Sequence, residues 1–285
     1  MTASSHGVLA FVGALHLFQH TQFAPLGDDL RRWRNSGYEK AGSTGAGMVR
    51  WNEKCSAHLV SACIIGEFVM NREMIAKTED FLKDTFATST YLQNYPMDRD
   101  YRMEHSYRVA NLAKAIAEAE GFDVTYAVIA GLLHDIAYCE EMVTHEDRMN
   151  HGRCSAAIAR PFLESLGLST DAVNEICYGI AIHVDDKADF EWERTPFCET
   201  VGDADNIDRF DAYRIYETLE YLKFSEMSLD DKREKVASTI EKLTRFKEMK
   251  LGTVTAKNLW LQRLDYYIGF YEKLKAQLGS SSAVF

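Results

Sequence analysis

Proline is scarce in this sequence, with 4 residues among 285, and no apolar run is long enough to cross a bilayer. Because proline interrupts helices, its scarcity leaves the long segments rich in Ala, Leu, Glu and Lys free to be helical. The amino-terminal apolar run Val8–Phe18 is short, and no basic segment precedes it as in a secretory signal. We therefore expect a cytoplasmic protein with no membrane partner.

Paired cysteines are also missing. The chain has 6 cysteines, and none of them forms a C-x-x-C pair. This usage excludes a zinc ribbon and argues against a disulfide scaffold in a chain of this length. We expect reduced thiols, several of them packed as small core residues in the manner of Cys177.

Positive charge is in deficit, with a formal net charge of −11. A nucleic-acid polymer is bound by a concentrated basic face, so we expect none as the main partner. A small phosphorylated substrate stays possible, because a few local arginine and lysine residues suffice to hold it. The oligomeric state is left open by the sequence.

The hydrophobic fraction of 46% is enough for a full core. No strand alternation and no internal repeat occurs, and apolar residues recur at helical spacing from Ile75 onward, so we predict an all-α fold. We divide the chain into an N-terminal extension of unknown structure, residues 1–74, and a helical domain, residues 75–285. One helix is predicted to begin at Thr78, and a second, long helix is predicted to follow Asp98 and to run to about Glu120. Further helices are predicted over Val124–Tyr138, His151–Leu166, Ser169–His183, Thr200–Phe224, Leu229–Met249 and Asn258–Leu278. Polar loops over residues 140–150 and 185–196 are expected to border a cleft.

The most informative stretch is the apolar run Ala130–Ala137, which contains the adjacent pair His134 and Asp135. Burying an imidazole and a carboxylate at the end of an apolar helix is costly unless a cation lies beside them. A divalent metal ion suits this pair. A His-Asp dipeptide alone is weak, since it is also compatible with a helix end where a carboxylate orients its neighbour.

The pair has further histidines and aspartates on either side of it in the chain. In order they are His105, His134, Asp135, His151, His183 and Asp205. This order and spacing resemble the HD-domain superfamily of metal-dependent phosphohydrolases over about residues 101–216. The most specific parts are His105-x-x-Arg108-Val109 and Leu133-His134-Asp135-Ile136.

The resemblance implies an HD-type helical bundle with extra C-terminal helices, in which His105, His134, Asp135 and Asp205 hold one metal ion. Asp203 is the alternative to Asp205 if the register is shifted. His151 and His183 fall where some branches hold a second metal, whereas in single-metal relatives similar histidines line a phosphate pocket. One or two divalent ions per chain are thus expected, and Mn, Fe, Co, Ni, Zn and Mg are not distinguished.

The resemblance implies hydrolysis of a small phosphate ester, nucleotide or phosphodiester, with Asp135 orienting the attacking water. Glu140 or Glu141 is a candidate general acid, although acidic loop residues are commonly only solvated. Four basic residues adjoin the predicted ligands and are candidates for binding the substrate phosphate, or else form surface and intrahelical pairs: Arg108, Arg153, Lys187 and Arg209.

Two other functions fit the same residues. One branch of the superfamily uses the six-residue set to hold two irons and cleaves C–C or C–P bonds with O₂. A non-catalytic ligand-sensing domain is the third hypothesis, although such a domain would be expected to have lost a ligand.

Overall fold

The computed structural model of the chain describes the backbone of residues 57–282 and the side chains of residues 69–282. This part of the chain is helical and contains no strand, which confirms the all-α prediction. Residues 1–56, with most of the predicted N-terminal extension and with Cys55, lie outside the described residues. The α-helices are α1 (Ala57–Thr88), α2 (Thr90–Asn94), α3 (Pro96–Glu120), α4 (Val124–Leu133), α5 (His145–Ser165), α6 (Thr170–Ile182), α7 (Pro196–Asp208), α8 (Ala212–Tyr221), α9 (Leu229–Phe246) and α10 (Val254–Gly279).

Helices α3 and α4 form the centre of the fold, and local sequence fixes their ends. Pro96 occupies the first turn of α3, and Gly121 ends it in the left-handed conformation at φ 74°. The Asp123 side chain then caps α4 by accepting a hydrogen bond from the Tyr126 N–H. Helix α4 is buried along nearly its whole length, as its apolar sequence predicts.

Two glycines let pairs of helices approach closely. A Cβ at Gly131 of α4 would lie 2.6 Å from the Cα of Ala110 in α3. A Cβ at Gly152 of α5 would lie 2.7 Å from the carbonyl oxygen of Ala181 in α6. Only a residue without a side chain fits at either contact, so both helix pairs depend on these glycines.

The carboxyl-terminal helices cover the other side of the bundle. Helix α10 packs on α9, α7 and α3. Its Trp260 and Tyr271 are among the largest fully buried side chains, and the Trp260 indole N–H donates to the Phe246 carbonyl. Helix α10 thus packs directly on α7, and α9 packs on α10.

Two predicted helix boundaries differ from the structure. Thr78 lies inside α1 rather than at its start, and its hydroxyl donates to the Met74 carbonyl within the helix. The segment predicted as a loop over residues 140–150 contains a capping box, in which Thr144 and Asp147 exchange side-chain-to-backbone hydrogen bonds. Helix α5 therefore begins at His145 rather than at His151.

The chain also turns more often than predicted. Helix α4 ends at Leu133, and a short 3-10 helix follows at Ile136–Cys139, so Asp135 sits in a turn. The helix predicted over Thr200–Phe224 is broken before α8, where Asp211 has φ 145°.

Helix α1 runs across the proposed domain boundary between residues 74 and 75, and the division itself stays a prediction. Within residues 57–282, no helix has both the length and the apolar content for crossing a membrane.

Candidate metal centre

Helices α3, α4 and α7 bring the first group of predicted ligands together. His105 Nε2 lies 3.2 Å from His134 Nε2 and 3.2 Å from Asp205 Oδ1. One ligand atom from each of these residues lies within 4.8 Å of the other two. All three side chains are buried. The spacing suits one ion placed among them.

The second group is centred on Asp135. Its Oδ1 lies 3.0 Å from His151 Nε2 and 3.7 Å from Nε2 of both His134 and His183. His151 and His183 face each other with their Nε2 atoms 3.0 Å apart. Since Asp135 Oδ2 lies 3.6 Å from His105 Nε2, this carboxylate reaches both groups.

The hydrogen bonds of the imidazoles show which nitrogen faces the cluster. Nδ1 of His134, His151 and His183 each contacts the backbone carbonyl three residues earlier, at 2.5 to 2.8 Å. A carbonyl only accepts, so each Nδ1 carries a proton and Nε2 is the ring nitrogen that faces the cluster. The inward Nε2 is the atom through which such a ring binds a metal ion. This donor set, with a hydrogen bond fixing each ring, fits a divalent metal ion.

The two histidines of the first group, His105 and His134, have pKa values shifted in opposite directions. Burial lowers the pKa of His134 to about 4, so its imidazole is neutral and available as a ligand. Burial also acts to lower the pKa of His105, but hydrogen bonds to Asp205 and Asp208 outweigh it and raise that pKa to about 10. Without a metal, His105 therefore holds a proton where a cation would bind.

The carboxylates of the cluster are held ionised despite their burial. Burial acts to raise the pKa of Asp135, but His134, His151, His183 and Arg102 together lower it well below its ordinary value. Burial likewise acts to raise the pKa of Asp205, but Arg209 and His105 outweigh it and lower this pKa well below its ordinary value. Both residues are thus charged acceptors, the form a metal requires.

Arginine side chains surround the cluster. Arg209 Nη2 lies 2.8 Å from Asp205 Oδ2, and Arg108 Nε lies 2.9 Å from Asp208 Oδ1. The Arg108 side chain is 30% exposed, with its Nη2 buried and without a hydrogen-bond partner, and the Arg209 side chain is 51% exposed.

The remaining predicted site residues lie further out. Arg153 Nη1 contacts both carboxylate oxygens of Asp185, at 2.8 and 2.9 Å, and the largely exposed Lys187 also pairs with Asp185. Glu140 and Glu141 are exposed. Glu140 lines a surface cavity of about 280 Å³ with Thr85, Thr88, Ser89, Thr90 and Cys139. Among the contacts of the described residues, neither glutamate is hydrogen-bonded or ion-paired to a ligand of the cluster.

Asp203 and Asp205 were the two candidates for the last metal ligand, and their positions along α7 give them different partners. Asp205 faces His105, whereas Asp203 Oδ2 accepts the Gly252 backbone N–H at 2.8 Å. The alternative of Asp203 as ligand is therefore wrong for this structure, because its carboxylate points to the α9–α10 connection.

Sequence reasoning missed three residues that contact the cluster. Asp208 Oδ2 lies 2.8 Å from His105 Nδ1, and Arg102 Nη1 lies 2.7 Å from Asp135 Oδ2. The signal was helical spacing, because Asp208 is three residues after Asp205 and Arg102 is three residues before His105. Tyr138 packs on both Arg102 and His151. Nothing in the sequence distinguishes Tyr138 from the other tyrosines.

These observations define the class: an all-α protein with a buried histidine and aspartate cluster suited to divalent metal. Residues 102–213 match the HD domain, a span that contains every residue of the cluster. Over this span the match confirms the predicted resemblance to the HD-domain superfamily.

Individual relatives match more narrowly. The chain is 43% identical over 63 residues to ribonuclease Y 1 of Pediococcus pentosaceus, and 40% identical over 81 residues to ribonuclease Y of Acetivibrio thermocellus. These segments cover 22% and 28% of this chain, but only 12% and 13% of the two ribonucleases. Among solved structures, Bacillus subtilis YpgQ in complex with ADP has a TM-score of 0.50 at 19% identity. The match covers 73% of this chain and 96% of YpgQ, and it shows a shared fold.

Proposed function

We propose that the chain is a metal-dependent phosphohydrolase that cleaves a small phosphate ester, nucleotide or phosphodiester with a metal-activated water. The observation that carries the proposal is the convergence of four histidines and two aspartates, with the Nε2 atoms of His134, His151 and His183 directed inward. A divalent ion bound there would polarise a phosphoryl oxygen and lower the pKa of a water.

Each residue has a role in this proposal. His105, His134, Asp135 and Asp205 would hold one ion. His151 with His183 would hold a second, or would contact the phosphate if only one ion binds. Asp135 reaches both groups and orients the attacking water. Because its neighbours lower its pKa so far, its carboxylate is better suited to accepting a hydrogen bond from that water than to retaining the proton.

The substrate phosphate would be bound by the partly exposed arginines beside the cluster. Arg209 and Arg108 each use one edge to contact a site aspartate, and further guanidinium N–H donors are left for an anion. Arg153 and Lys187 already pair with Asp185, so they are the weaker candidates. A general acid at Glu140 or Glu141 stays a prediction.

The proposal is tested on full-length protein purified without chelator. Metal content is measured, and phosphate release is followed with phosphomonoesters, nucleotides, a phosphodiester and a short RNA. RNA is included because the curated relatives are ribonucleases, although the net charge of −11 opposes polymer binding. We expect metal-dependent hydrolysis that His134→Ala and Asp135→Ala abolish. His145→Ala is the matched control, because His145 is exposed and begins α5 outside the cluster. Wild-type protein that binds metal but hydrolyses none of these substrates would contradict the proposal.

A di-iron oxygenase is the second candidate, since all six side chains converge and this donor set also binds iron. Oxygen consumption by iron-loaded protein, without phosphate release, would favour it. Unchanged activity and metal content in the His134→Ala and Asp135→Ala variants would instead favour a ligand-sensing domain.

A further inference from the structure

Tyr138 has a hydroxyl for which the structure provides no protein partner. The residue lies in the short 3-10 helix that follows Asp135, and its side chain is 5% exposed. Among residues 69–282, no hydrogen-bond partner of its Oη is found. The oxygen is not among the fully buried side-chain atoms without a partner, so it is open to a water or a ligand.

The Tyr138 ring forms part of the wall of the metal centre. Its centroid lies 3.4 Å from Cζ of Arg102 and 4.9 Å from the centroid of the His151 ring. The charges of Asp135, Asp205 and Arg209 all act on its hydroxyl. These residues belong to the metal centre, so the hydroxyl lies within electrostatic range of it.

Arg102 adds a second unpartnered group at the same place. Its Nη1 donates to Asp135, whereas Nε and Nη2 are buried without a partner among the described residues. Because these two nitrogens are fully buried, Arg102 holds the Tyr138 ring in place and is not itself open to a ligand. The Tyr138 hydroxyl is the donor on this wall that an oxyanion beside the metal centre could contact.

We propose that the Tyr138 hydroxyl, on the ring that packs against Arg102 and His151, donates a hydrogen bond to a phosphoryl oxygen in the metal centre. The proposal rests on the proposed phosphohydrolase function and deepens it, because it assigns a phosphate-binding residue to the same site. A neutral phenol supplies directional binding without adding charge beside the metal ligands.

The test uses the full chain loaded with Mn²⁺ and inorganic phosphate as the probe. Tyr138→Phe removes only the hydroxyl and keeps the ring that packs on Arg102 and His151. Because a hydrogen bond to a charged group is lost, we expect phosphate to bind about ten- to a hundredfold more weakly, with Mn²⁺ affinity and thermal stability unchanged. Tyr178→Phe is the control, since Tyr178 packs against Phe190 on α6 and should leave phosphate binding at the wild-type value.

Equal phosphate affinity in wild type and Tyr138→Phe would overturn the proposal, and so would absence of phosphate binding to the wild type. Loss of Mn²⁺ affinity together with phosphate affinity would also overturn it, because the hydroxyl would then support the metal centre instead. These outcomes are distinct from failure of the proposed function, which is absence of phosphate release by a wild type that still binds phosphate.

Discussion

Metal binding to this protein should displace a proton from His105. The Nδ1 of His105 contacts Asp208 at 2.8 Å and its Nε2 contacts Asp205 at 3.2 Å, both in a buried site. Burial opposes the charge, but the two carboxylates prevail and raise the pKa from 6.5 to about 10. At pH 8 an ordinary histidine is already deprotonated and would release almost nothing, whereas His105 would release about one proton.

The sign of the pH dependence follows from this pKa. A proton and the metal compete for the same Nε2, so apparent metal affinity should rise by about tenfold per pH unit from pH 7 toward pH 10. An unperturbed histidine would stop contributing above about pH 6.5. Isothermal titration calorimetry in buffers of different ionisation enthalpy measures the number of protons released.

Asp208→Asn provides the comparison. The variant keeps a hydrogen-bond acceptor beside Nδ1 but removes one of the charges that hold the proton, so half-maximal proton release should occur at a lower pH. A proton lost from a water on the metal would be released by both proteins and would cancel in the difference. Metal affinity that stays flat between pH 7 and pH 9, with no proton released at pH 8, would refute this reasoning.

Three further predictions follow from the packing and charge of the site. In Gly152→Ala the new Cβ would clash with the Ala181 carbonyl oxygen, so the free energy of unfolding measured with denaturant should fall by about 1–3 kcal/mol and metal should bind more weakly. Unchanged stability and metal affinity would contradict this prediction. Burial raises the pKa of Asp203 to about 7, so the metal-free protein should lose up to about 4 kcal/mol of unfolding free energy as the pH rises from about 4 to 7. Asp203→Asn should remove this loss. Parallel curves of unfolding free energy against pH for the two proteins would disprove the prediction. Arg209→Ala should raise KM for a phosphorylated substrate about tenfold, because a guanidinium that is only partly paired is lost. Lys187→Ala should change KM less than about twofold. A larger effect of Lys187→Ala than of Arg209→Ala would contradict the assignment of Arg209 as the phosphate-binding residue.

The sequence was a good guide where a short-range rule decides the structure. The helix ends predicted at about Glu120, Val124 and Ser169 are found in the structure, where Gly121, Asp123 and Ser169 have the chemistry of helix ends. The order of the histidines and aspartates indicated the superfamily, because metal ligation requires those side-chain types.

Contacts across the bundle could not be predicted from the sequence. The roles of Gly131 and Gly152 depend on which helix packs against them. A glycine within a helical pattern does not indicate which helix that will be. The contact between Arg102 and Asp135 joins residues 33 positions apart. From the sequence alone, Arg102 cannot be distinguished from any other charged residue on an amphipathic helix.

The register within α7 was ambiguous for the same reason. Asp203, Asp205 and Asp208 all lie on one helix, and only packing against α3 and the α9–α10 connection determines which carboxylates meet His105.

The most direct test of the account is the metal content of the full-length protein, measured together with phosphate release, for the wild type and the His134→Ala variant. We expect one or two divalent ions per wild-type chain together with metal-dependent hydrolysis, and we expect the variant to stay folded but to lose both. A variant that keeps the full metal content and activity would contradict the central claim that these converging imidazoles and carboxylates bind the catalytic metal.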